Sequence, residues 1–327
     1  MEVNILSERS YCIWPSYYIV YEWENVISDV LGCNIKTFGE GKIAKIKRKI
    51  KRRWVNNGGK ADAQYVANGK MCDLLWIMSA TKYNMLPMEN IIPIYLDFPD
   101  NMVNTILHAV EKLPVFFVTC KDIFNMMIEK GSENVRYMPL SISDEYLLVE
   151  PPEKTIDVIQ FGRKNEALHQ YMLEYCKRNP SVEYVFQTED ESLTYYSTTK
   201  GNLGKFDTRK EYLDLIKKCR ISLVSTPGCE GQSRFGNIDF VTPRFYESAA
   251  LYCQLIGRYT DNEETRDLHL SEICPNVRKY SDFEEYMDKY LHEACDWTKQ
   301  IKFIKQNLTS KRAEYIRACL DERDKKL

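Results

Sequence analysis

The stretch Val241–Tyr259, VTPRFYESAALYCQLIGRY, decides how the chain is read, because it joins a helix start, a charge couple and a buried strand within nineteen residues. Pro243 suits the first turn of a helix, where its missing N–H costs no hydrogen bond and its φ is already helical, and Thr242 before it is an N-cap residue. Phe245, Ala249 and Tyr252 fall on one side of the predicted helix, while Arg244 and Glu247 share a turn near its start. After Tyr252 the run Cys253, Leu255, Ile256, closed by Gly257, has the length and bounding of a short buried strand. A helix feeding directly into such a strand is an α/β unit.

The same rhythm recurs on both sides. Upstream, Ile156–Phe161 predicts a strand, Gly162–Asn165 a turn and Glu166–Arg178 a helix. Val182–Gln187 and Ile221–Ser225 predict further strands, with a helix from Thr208 to Cys219 between them and a Gly-rich loop from Gly228 to Asn237 after them. In the first half, Val3–Leu6, Asn34–Phe38, Cys72–Met78, Ile91–Leu96, Val115–Thr119 and Val135–Leu140 predict strands. Helices are expected over Val20–Leu31, Met102–Lys112 and Ile123–Lys130. Apolar runs separated by helices are what a parallel sheet covered on both faces requires. The acidic segment Ser141–Lys154, with Pro151 and Pro152, has neither period and is placed as a linker. A helix over Asp282–Glu293 and one long charged helix from Trp297 to Arg323 complete the chain.

With 327 residues and 44 % apolar content, each of two α/β domains has enough material for a core. A net charge of −2 argues against a dedicated nucleic-acid binder, so phosphate binding has to be local. The 11 cysteines show no CxxC pair and no zinc-finger spacing, which fits reduced thiols in a cytoplasmic protein. The start of the chain has no signal-peptide pattern, and no window is apolar enough to span a bilayer. Lys42–Arg53 stands apart: eight of twelve residues are basic, and Ile43, Ile46 and Ile50 recur at helical spacing with Trp54 beyond. Such a face either lies on an anionic lipid surface, each cation adding roughly 1 kcal/mol, or is a solvated helix docking its isoleucines on a core.

The chemistry is expected at the carboxyl edge of the second sheet, where Gly162-Arg163-Lys164 and the helix start with Arg244 and Glu247 both map. A helix N-terminus and a guanidinium bind phosphate oxygens. A carboxylate beside them accepts the vicinal hydroxyls of a ribose. Together these residues describe a nucleoside-diphosphate site. The bland alternatives are a surface Arg244–Glu247 ion pair adding a few tenths of a kcal/mol and ordinary turn residues at Arg163 and Lys164. Arg234 in the Gly-rich loop is a further candidate.

The strand end FGRKN (Phe161–Asn165) and the segment TPRFYESAALYCQLIG (Thr242–Gly257) resemble glycosyltransferases of the GT-B architecture, particularly bacterial polysaccharide and lipopolysaccharide transferases with a group 1-like C-terminal domain. The resemblance covers nearly the whole chain. It implies two Rossmann-like domains facing across a cleft: an acceptor-side domain over 1–145, a nucleotide-sugar domain over 155–296, and a final helix over 297–327 crossing back to the first. It implies that Arg163, Lys164 and Arg244 hold the diphosphate and Glu247 the ribose of a UDP- or GDP-linked sugar. The chain departs from the pattern where Leu255 stands eight residues after Glu247 and Asp239 eight before it, and no GxGxxG follows Leu6.

An inverting transfer needs a general base near the acceptor hydroxyl. Asp97 at a predicted strand end is the candidate taken, against a turn role before Pro99; Asp100, His108, Glu8 and Glu22 are the others. The aromatic loop Tyr11–Tyr18 either touches substrate or covers the sheet edge. Glu189-Asp190-Glu191 reads as a solvated loop, so no metal or other cofactor is expected. The expected activity is transfer of a sugar to a glycan or lipid-linked acceptor at the inner face of the cell membrane. A two-lobed binding protein and a sugar-nucleotide epimerase of the same architecture are the rivals.

Overall fold

The apolar runs become the strands of two mainly parallel sheets, buried because helices cover their faces. A computed structural model describes residues 2–10, 12, 15–37, 46, 50, 66–67, 70–79, 90–96, 98–188, 193–231 and 233–326. They form two units: residues 1–143, 231–238 and 309–327, and residues 144–230 and 239–308. The expected linker therefore belongs mostly to the second unit.

In the first unit, β1 (Val3–Ser7), β2 (Ile35–Thr37), β5 (Asp73–Ser79), β6 (Ile91–Leu96), β7 (Phe116–Val118) and β8 (Val135–Tyr137) form one sheet in the order β2-β1-β5-β6-β7-β8. Every pairing in it is parallel. A separate two-stranded piece pairs β3 (Val66–Ala67) with β4 (Lys70–Met71). All six residues of β6 are buried, as a central parallel strand requires. The helix Tyr18–Leu31 ends at Gly32 with φ 65°, a left-handed stop that lacks a Cβ penalty.

In the second unit, β9 (Ile156–Gln160), β10 (Tyr184–Gln187), β11 (Thr194–Ser197), β12 (Gly201–Lys205), β13 (Cys219–Ser225) and β14 (Gln254–Arg258) follow the order β12-β11-β10-β9-β13-β14. The four strands from β10 to β14 pair in parallel, while β11 and β12 add an antiparallel edge. The sequence reading missed this edge hairpin. Gly201, Asn202 and Gly204 are poor strand formers, and pairing with β11, itself paired to β10, supplies the order that their own propensity lacks.

The helix Arg209–Lys217 opens with a capping box, Thr208 and Glu211 satisfying each other's backbone N–H groups. The helix Pro243–Ala250 has Pro243 in its first turn and is followed by Leu251–Cys253 and β14, as expected. The carbonyls at the ends of these two helices are joined by one side chain: Lys154 Nζ donates to Lys217 O at 3.0 Å and to Leu251 O at 2.7 Å. Burial lowers the pKa of that ammonium.

The single long terminal helix is corrected to two, Thr298–Gln306 and Thr309–Lys326, broken where Asn307 turns its amide back to the Phe303 carbonyl at 2.8 Å. The first belongs to the second unit, stacking Phe303 on Tyr246; the second belongs to the first unit and packs on the helix Tyr18–Leu31. Arg312 donates to the Pro139 carbonyl at 2.9 Å, and Arg323 pairs with Asp73 at 2.7 Å.

Candidate functional site

In the second sheet, β9 is the strand from which the chain first runs one way, to β10, and later the other way, to β13 and β14. Outside the carboxyl ends of strands at such a reversal lies the crevice in which open α/β sheets bind ligands. The segments that leave those ends are Phe161–Asn165 after β9, Thr226–Glu230 after β13 and Tyr259 onward after β14.

Gly162 turns the chain after β9 with φ 66°, a conformation that side-chain-bearing residues rarely adopt. The close approach of Arg244 adds a second constraint: a Cβ on Gly162 would lie 2.9 Å from Arg244 Nη2. Arg244 Nη1 donates to the Arg163 carbonyl at 3.0 Å, so the structure brings the two predicted basic segments together. Arg163 itself is exposed, and Lys164 places Nζ 5.3 Å from the centre of the Phe186 ring. Asn165 caps the following helix, its Oδ1 accepting from Leu168 N at 3.0 Å.

Arg244 and Glu247 do not form the couple their spacing suggests. The helix Pro243–Ala250 is buried on nearly every side from Phe245 onward, so Glu247, 3 % exposed, takes its partners from the neighbouring helix. Arg209 Nη1 donates to Glu247 Oε1, and the Tyr212 hydroxyl donates to Oε2 at 3.1 Å. Arg209 is itself 8 % exposed. Burial, and after it the Glu247 charge, drives the Tyr212 phenol far above its ordinary pKa. Its ring meets Phe161 edge to face at 5.3 Å, which ties this pair to the strand end at Gly162. Tyr195 completes the wall: its oxygen accepts from Gly162 N at 3.3 Å, and burial pushes the phenol up to about 12. Arg209, Tyr195 and Tyr212 were not legible as site residues; the only signal was the helix start at Thr208.

Asp239 is a loop anchor. It accepts from Thr226 Oγ1 at 2.5 Å and Gly228 N at 2.6 Å, fixing the turn after β13. Glu230 closes the same loop onto β14 through Arg258 Nε at 2.6 Å, and these bonds hold its carboxyl down to about 2. Arg234 belongs to the first unit, exposed and lying over the Phe235 ring.

In the first unit, Asp97 lies outside the described residues. Asp100 accepts from Asn237 N at 2.9 Å, and His108 is a surface side chain, 86 % exposed. At the carboxyl end of β1 the buried acids are Glu8 and Glu24, not Glu22, and Glu24 Oε2 accepts from Ser7 Oγ at 2.5 Å and Arg9 Nη2 at 2.8 Å. Burial raises the Glu24 pKa against the pull of those two donors. Glu8 is buried beside it. Glu189–Glu191 and most of Lys42–Trp54 lie outside the described residues; Ile46 and Ile50 within the latter are 57 % and 62 % exposed. Among the described residues no cluster of three His, Cys, Asp or Glu side chains is placed to hold a metal ion, and no helix is long and apolar enough to cross a membrane.

No protein-family model matches the chain, and no curated protein matches it in sequence. Solved structures do match in shape. AviGT4, a glycosyltransferase involved in avilamycin A biosynthesis, aligns over 99 % of this chain and 98 % of its own at TM-score 0.57 and 11 % identity. The fold is GT-B. A Listeria monocytogenes protein assigned as UDP-N-acetylglucosamine 2-epimerase aligns over 100 % and 98 % at 0.56 and 9 % identity. A trehalose-6-phosphate synthase, studied for glycosyl transfer with retention, aligns over 96 % and 85 % at 0.52 and 10 % identity. The GT-B likeness carries the architecture of two Rossmann-like domains; the chemistry has to come from the side chains at the β9 strand end.

Proposed function

We propose that this protein is a glycosyltransferase whose second unit binds a nucleoside-diphosphate sugar, UDP- or GDP-linked. In this reading it delivers the sugar to a glycan or lipid-linked acceptor in cell-surface polysaccharide synthesis, on the inner face of the cell membrane. The observation that carries the reading is the bond from Arg244 to the Arg163 carbonyl. It sets the cations of two distant segments beside the left-handed turn at Gly162, at the reversal point of the sheet. Arg163, Lys164 and Arg244 take the diphosphate, since guanidinium and ammonium donors pair strongly with phosphate oxygens. Glu247, already neutralised by Arg209, takes the ribose without repelling that diphosphate. The transfer needs no metal ion, and its base comes from the first unit, with Asp97 retained as the candidate.

A sugar-nucleotide epimerase is the second reading, supported by the shape likeness to the Listeria protein. Incubation with nucleotide sugars and no acceptor separates the two. Slow release of nucleoside diphosphate, undiminished in chelator, supports transfer; accumulation of an epimer overturns it. For the membrane role, Lys42–Trp54 should favour anionic over neutral vesicles in sedimentation.

A further inference from the structure

The turn Gly162–Asn165 is fastened at both ends, and its two cations lie between the fastenings. At its start, Gly162 N donates to the Tyr195 hydroxyl at 3.3 Å. At its end, the side chain of Asn165 works in two directions. Its Oδ1 accepts from Leu168 N at 3.0 Å and caps the helix Glu166–Arg178, while its Nδ2 donates to Glu230 Oε1 at 3.0 Å. Asn, Asp and Ser cap a helix about equally well, so capping alone does not select an amide at this position. The second bond does. An Asp carboxylate has no donor to give, and a Ser hydroxyl has one short arm for both tasks, whereas an amide carries an acceptor and a donor on separate atoms.

Glu230 is braced in turn. Arg258 on β14 donates to it twice, Nε to Oε1 at 2.6 Å and Nη2 to Oε2 at 2.9 Å, a bidentate pair that fixes the carboxylate plane. Arg258 is 8 % exposed, and its Nη1 also reaches the Val277 carbonyl at 3.4 Å. The same loop is tied down again where Arg278 Nη1 donates to the Cys229 carbonyl at 3.3 Å and where Asp239 accepts from Gly228 N at 2.6 Å. The Asn165–Glu230 bond thus joins the end of β9 to a loop already anchored on β14.

We propose that Asn165 and Glu230 are positioning residues: the bond between them hangs the turn Gly162–Asn165 on the braced loop after β13, so that Arg163 and Lys164 are held in place before a nucleoside diphosphate arrives. The inference rests on the nucleotide-sugar reading above and deepens it. A turn ordered in advance loses less conformational entropy on binding, and the difference appears as affinity. Glu230 acts through Asn165 and not on the ligand, its charge being taken up by Arg258.

The test is a double-mutant cycle, read by calorimetry with UDP and GDP and by denaturant melts. Asn165→Ser keeps the cap and loses the reach to Glu230; nucleotide affinity should fall about tenfold, the scale of a hydrogen bond to a charged group, with the denaturant midpoint little changed. Asn165→Asp keeps the cap but sets two carboxylates face to face, and the loss should be at least as large. Adding Glu230→Gln to Asn165→Asp exchanges donor and acceptor, because the Gln amide donates to the Asp carboxylate, and affinity should return to within about threefold of wild type. Glu230→Gln alone should not raise affinity. A simple charge effect gives the opposite pattern, a gain in Glu230→Gln and additive changes in the double variant, and overturns the positioning role. Unchanged affinity in Asn165→Ser, while Arg244→Gln weakens binding, overturns it too and leaves the diphosphate site standing. A wild type that binds neither UDP nor GDP overturns the donor-site reading and this inference with it.

Discussion

Both units place a buried glutamate against an arginine near the carboxyl end of their first strand, and the two pairs differ in what surrounds them. Glu24 pairs with Arg9, a side chain only fifteen residues away and 31 % exposed. Glu247 pairs with Arg209 across thirty-eight residues, both buried. Around Glu24 the described cation is Arg9; at the β9 strand end of the second unit, Arg244 is bonded to the Arg163 carbonyl and Lys164 follows in the same turn. A buried pair by itself is neutral and attracts no anion. The gathering of Arg163, Lys164 and Arg244 at one strand end is what makes the second unit the candidate for a diphosphate.

The sharpest way to break this comparison is to remove each carboxylate. Glu247→Ala strands Arg209 in the core, so stability should fall by about 3–5 kcal/mol and nucleotide affinity should drop with it. Glu24→Gln should lower stability less, by about 1–2 kcal/mol, because Arg9 regains water, and should leave nucleotide affinity alone. Denaturant melts and calorimetry on the two variants decide it; equal losses of affinity would erase the distinction between the units. Arg244→Gln comes next: nucleoside-diphosphate affinity should fall about tenfold or more with little change in melting temperature, since only one half-exposed donor is lost.

The smallest effects are in the pH dependence, and there the signs are opposite. The Glu24 pKa is raised on folding, so its contribution is full below the ordinary 4.5 and is lost as pH rises through the folded value. The Glu230 pKa is lowered to about 2, so its contribution is full above 4.5 and is lost as pH falls toward 2. Glu230 is half exposed, and its pair with Arg258 is worth about 1 kcal/mol or less. Stability of wild type minus Glu24→Gln should therefore decline from pH 4 to 7, and wild type minus Glu230→Gln should decline from pH 5 to 2. The same sign in both differences would contradict the assigned environments.

The parallel strands were legible because burial on both faces forces continuous apolar runs, and Ile91–Leu96 was placed to the residue. The edge hairpin Thr194–Lys205 was not, because its order comes from pairing with β10 rather than from its own residues. Arg163, Lys164, Arg244 and Glu247 were legible as residues of one sheet edge. Their partners were not: spacing along a helix suggested Arg244 with Glu247, whereas a carboxylate in a sealed helix takes the guanidinium that tertiary packing brings from elsewhere. Arg209 and Tyr212 carry no local sign of that role beyond lying one turn into a well-capped helix. The long terminal helix was overextended because a charged stretch with continuous helical propensity hides a break made by one asparagine.

Lys154 sets a limit on how the site moves. One ammonium closes the ends of the two helices whose beginnings carry Arg209 with Tyr212 and Arg244 with Glu247. A slide of about 1 Å by either helix along its axis stretches one of its two hydrogen bonds beyond bonding range. The helices are therefore locked in register and behave as a single plate.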